Sequence, residues 1–64
     1  MNMTKREVAF IQAKVDLFEQ WEMEERHAAL KCVDKDEAEQ HYVESVKCGS
    51  AADALRNILF ELGV

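Results

Sequence analysis

Proline is absent from the 64 residues, and glycine occurs only at Gly49 and Gly63. The backbone therefore carries almost none of the residues that break regular helices. Cysteine is limited to Cys32 and Cys48, too few and too widely spaced for a secreted disulfide framework, and no CxxC pair offers a zinc or redox site. A reducing, cytoplasmic setting suits them. No segment approaches the roughly 18 consecutive apolar residues of a membrane span, and Met1 to Glu7 leads into charged, periodic sequence without a signal-peptide core. Basic residues are also scarce, 8 against 13 acidic ones, with residues 34–64 holding seven acids and three bases. A nucleic-acid backbone is bound largely through Lys and Arg, so that class of ligand is disfavoured, and a basic protein surface is the better electrostatic complement. There is no glycine-rich phosphate loop and no patch of mixed basic and aromatic residues.

What fills the chain instead is Ala, Leu, Glu, Lys, Gln and Met, all good helix formers. The expected class is all-α. A single domain of this length buries only about 60% of the surface its unfolded form exposes, so the core is thin and an outside support is expected. Thr4 with Glu7 reads as a capping box, starting a first helix near Lys5 that runs to about Cys32. Asp34 with Glu37 offers a second start after a very short connection, which makes the next helix an antiparallel neighbour. Ser50 with Asp53, directly after Gly49, supplies a third. The expectation is one domain over residues 1–64 with helices near 5–32, 35–48 and 51–62, the last ended by Gly63. A two-helix hairpin with its second arm continuous through Gly49 is the competing arrangement.

At about 100° per residue, Val8, Ile11, Val15, Phe18, Ala29, Cys32 and Val33 share one side of the first helix. Phe10, Leu17, Trp21 and Ala28 form a second stripe beside it. The two stripes cover close to half the circumference, more than one short partner helix shields, which points to a homodimeric helical bundle or a binding groove. Ala38, Tyr42, Val43 and Val46 define a face of the second half; Ala51, Ala54, Leu55, Ile58 and Leu62 define one roughly opposite. The break in phase is what places a helix end at Gly49.

For chemistry, the notable run is Trp21 to His27, in which Glu22 and Glu25 interrupt the apolar arc. Antiparallel pairing brings them towards His41, Tyr42 and Ser45, and two Glu with one His is a set that hard or borderline cations accept. Glu24 and His27 have Glu-x-x-His spacing but fall on the polar side. Glu22-x-x-Glu25 resembles the first half of the magnesium motif of the MazG-like all-helical nucleotide pyrophosphatases, which implies a metal-dependent hydrolase. The second half, Glu-x-x-Asp, is missing: Asp36 to Glu39 is reversed, and Glu37 and Glu44 are followed three residues on by Gln40 and Lys47. His27 and His41 have no matched Ser or Cys nucleophile. An intrachain Cys32–Cys48 bridge is disfavoured, because in a hairpin the two would lie about 21 Å apart along the helix axis.

Recognition falls more naturally to Trp21 with Phe10 and Leu17, and to the Leu-rich end of Leu55, Ile58 and Leu62, because large aromatic and aliphatic anchors dominate interface energies. The functional expectation is a protein-binding regulator or inhibitor without catalysis, metal or cofactor. It pairs with itself and with a protein of basic surface, by analogy with small acidic phage and plasmid accessory proteins. The alternatives are a metal-dependent hydrolase using Glu22, Glu25 and His41, and a structural subunit of a larger helical assembly.

Overall fold

The computed structural model describes residues 3–63 as two antiparallel helices, α1 (Lys5–Lys31) and α2 (Lys35–Glu61). Thr4 caps α1 reciprocally: its hydroxyl accepts from the Glu7 N–H at 3.1 Å, and its own N–H donates to Glu7 Oε1 at 3.0 Å. Asp34 caps α2, accepting from the N–H groups of Asp36 at 2.8 Å and Glu37 at 3.5 Å. Cys32 to Asp34 make the whole connection, and Val33 at its tip is 99% exposed rather than part of the buried stripe. Gly63, at φ 75°, ends the second arm in the left-handed region that glycine enters freely.

The expected second and third helices are one. α2 passes through Gly49 without interruption, and the Ser50 and Asp53 start signal goes unused. The reason lies in the seam. On α1 the residues turned towards the partner are Val8, Ile11, Val15, Phe18, Glu22, Glu25, Ala29 and Cys32, and none of them is exposed. On α2 the matching series is Ala38, His41, Ser45, Cys48, Ala52, Leu55, Leu59 and Leu62, with only the terminal Leu62 exposed. Both series alternate steps of three and four residues, the heptad spacing of two helices packed along their length. His41, Ser45 and Cys48 carry the seam where an apolar series is missing, while Tyr42, Val43 and Val46 lie outside it, exposed. The apparent change of face at Gly49 is a change of side-chain chemistry along one continuous seam.

The seam accordingly has two halves. At the open end Val8, Ile11, Val15 and Phe18 oppose Ala52, Leu55, Leu59 and Leu62; towards the turn Glu22, Glu25, Ala29 and Cys32 oppose Ala38, His41, Ser45 and Cys48. Among the described residues only Val15, Ala52, Leu59 and Ser45 are buried. The Ser45 hydroxyl is satisfied locally, donating to the Tyr42 carbonyl at 2.6 Å. No described helix is long and apolar enough to cross a membrane.

Candidate functional site

Helix geometry decides which exposed residues share a side of the hairpin. On α1, Phe10, Leu17 and Trp21 lie roughly 100° round the helix from the seam. On α2, Ile58 lies roughly 100° from its seam in the same rotational sense, and Leu55 and Leu62 form the seam's edge on that side. Because the helices are antiparallel, equal senses of rotation fall on the same side. Arg56 and Glu19, both turned in the opposite sense, illustrate the rule: their side chains pair across the other side of the hairpin. Phe10, Leu17, Trp21, Leu55, Ile58 and Leu62 thus lie on one side, in the open half, with Ala51 and Ala54 between them.

Phe10, Trp21, Ile58 and Leu62 on this face are 64, 44, 46 and 44% exposed. Trp21 stands edge-on to Phe18, ring centroids 5.6 Å apart and planes at 80°, so the seam fixes the indole's orientation. Lys14 borders the patch with its ammonium 5.3 Å from the Phe10 ring centre, a cation–π distance.

The turn half carries most of the acidic charge. A groove there is lined by Glu25, Asp36, Glu39 and Glu44 together with His41 and Lys47. Residues 22–47 hold eight acidic and four basic side chains, a net −4 of the chain's −5. This groove was not singled out in the sequence, because its carboxylates come from two helices and meet only once the heptad register is known.

Of the three candidate ligands, the structure brings two together: His41 Nδ1 lies 2.5 Å from Glu25 Oε2. Glu22 is drawn elsewhere, its Oε2 accepting from Arg26 at 3.2 Å and resting against Gly49. Glu24 and His27 are exposed, and Glu24 accepts from Gln20 at 3.2 Å. Among the described residues, no three His, Cys, Asp or Glu side chains converge to hold a metal ion. The expected proximity of Glu25 to His41 is there; the three-ligand set is not.

Both cysteines are free thiols, half-buried in the turn half. Partial burial pushes the Cys32 thiol up, helped by Glu37, whose carboxylate accepts its S–H at 3.8 Å. Burial does the same for Cys48, with Glu44, Glu25 and Glu22 adding to it. Thiolates are correspondingly scarce at neutral pH, which does not suit a nucleophile.

No family model, no curated protein and no solved structure matches the chain.

Proposed function

We propose that this chain is a protein-binding module, a regulator or inhibitor without catalysis of its own, working in the cytoplasm through the apolar face of its open half. The observation that carries the reading is the meeting of Phe10, Leu17, Trp21, Leu55, Ile58 and Leu62 on one side of the hairpin, beside a turn half of net charge −4. Aromatic and aliphatic anchors supply affinity, and the neighbouring carboxylates favour a partner with basic residues flanking its apolar patch. A second copy of the chain offers the apolar face alone, without a basic rim, and is the first partner, completing a helical bundle that the thin seam leaves open.

Replacement of Trp21 tests the reading. Trp21→Ala should weaken association by on the order of 2 kcal/mol while helix content is retained, because the indole is nearly half exposed and contributes modestly to the hairpin itself. Gln20→Ala, its exposed neighbour, should change association by less than about 0.5 kcal/mol. Sedimentation for self-association and titration calorimetry with any captured protein give the comparison. Equal association by both variants would mean that the recognition face lies elsewhere.

A further inference from the structure

We propose that the apolar face is covered by a second copy of this chain, related by a two-fold axis that overlaps the two open halves and sends the two turns outward in opposite directions. The inference rests on the protein-binding reading and specifies its first occupant and geometry.

The amount of surface supports an occupant of this size. The chain exposes 5255 Å², whereas a compact monomer of 7.4 kDa exposes about 4,200 Å². The excess, about 1,000 Å², follows from the elongated 48 × 16 × 10 Å shape; a standard specific interface buries roughly 800 Å² on each partner, which one long side of such a hairpin can supply. A two-fold contact needs a self-complementary patch. This one qualifies: it is apolar across both helices, and its single bordering charge close to an aromatic ring, Lys14, is already placed on Phe10.

Three registers can bring two such faces together, and chemistry separates them. With turn beside turn, the two turn halves, each of net charge −4, would lie along one another. With full antiparallel overlap, the acidic turn half of each copy would cover the apolar half of the other, desolvating carboxylates without partners. Turn beside turn also joins the apolar faces; the staggered register joins them without covering either turn half. It also separates the two turn halves of net charge −4 and leaves both acidic grooves free.

The patch runs from the level of Met3 and Leu62 to that of Trp21, with its midpoint near Ala13. Val33, at the tip of the turn, lies about 20 residues from that level, or about 30 Å along the axis. In the staggered dimer the two tips are therefore about 60 Å apart. Full antiparallel overlap puts them about 45 Å apart, and the turn-beside-turn register within about 20 Å.

The test is a spin label on Val33→Cys, in the full chain with Cys32→Ala and Cys48→Ala, read by pulsed dipolar spectroscopy alongside sedimentation. Sedimentation of the untouched chain serves as the reference for those two replacements. The expected result is the mass of two chains and a distance near 60 Å, both lost in Trp21→Ala. A distance near 45 Å or below 20 Å overturns the staggered geometry while leaving a dimer. A monomer mass for the untouched chain at tens of micromolar overturns the second copy as occupant. In that case, loss of a different partner by Trp21→Ala would still uphold the binding reading, and its retention would bring down both.

Discussion

Glu22 lies so close to Gly49 across the seam that a β-carbon at position 49 would overlap the carboxylate. Glycine here serves a close approach between two helices. The obstructing atom is the end of a flexible side chain, however, so it can swing aside. Gly49→Ala should gain up to about 1 kcal/mol of helix propensity and lose only the exposed Glu22–Arg26 pair, which contributes a few tenths. The net expectation is a rise in melting temperature of about 4 °C by circular dichroism. A helix broken at Gly49 would show no such gain. Glu22→Ala with Gly49→Ala should be at least as stable as Gly49→Ala alone.

The Glu25–His41 contact lies in the polar half of the seam, at a position where other heptads bury hydrocarbon. Both side chains are more than a third exposed, so the pair contributes little net stability. Replacing both with Leu should raise stability by on the order of 2 kcal/mol, since well-packed hydrocarbon commonly outperforms a partly desolvated polar pair. Glu25→Leu alone should do less, because it leaves the imidazole facing a hydrocarbon neighbour. Denaturant midpoints of the two single variants and the double variant give the coupling directly.

The Thr4 N–H and hydroxyl hold the Glu7 carboxyl below its ordinary value of 4.5. A group whose pKa is lowered on folding contributes stability that is fully present above its unfolded pKa and is lost as pH falls through the folded one. The α1 cap should therefore weaken only below about pH 4.5, with Glu7 titrating later than an ordinary glutamate by carbon-13 NMR. Thr4→Ala removes the hydroxyl but keeps the position-4 N–H, so it should raise the Glu7 pKa only part of the way to the ordinary value and fray the first turn.

Folding linked to association obeys mass action, so the melting temperature should fall on tenfold dilution. Differential scanning at several concentrations checks this. A midpoint independent of concentration would show that the hairpin is stable alone, despite having four buried residues among those described.

The caps were legible in sequence because each is a local hydrogen-bonding pattern: Thr4 with Glu7, Asp34 before α2, and Gly63 after it. The first helix's seam was equally legible, since Val8, Ile11, Val15 and Phe18 are apolar at the right spacing. The second helix misled because its seam residues His41, Ser45 and Cys48 are not hydrophobic, whereas its exposed Tyr42, Val43 and Val46 are. A search for heptad spacing that allowed small and polar residues would have found one register through Gly49. The six proposed contact residues form two separate clusters in the sequence; their placement on one side follows from the handedness of two antiparallel helices.

The seam returns every seven residues, whereas a straight α-helix drifts about 20° over that interval. To keep the seam closed, α1 and α2 must wind around each other in a left-handed supercoil, with a pitch of about 150 Å. The open half and the turn half are centred about 20 Å apart along the axis, so the winding alone turns one from the other by about 50°. The two surfaces look in different directions. A flat partner meets one or the other, and only a partner that follows the twist, such as another helix laid along the hairpin, reaches both.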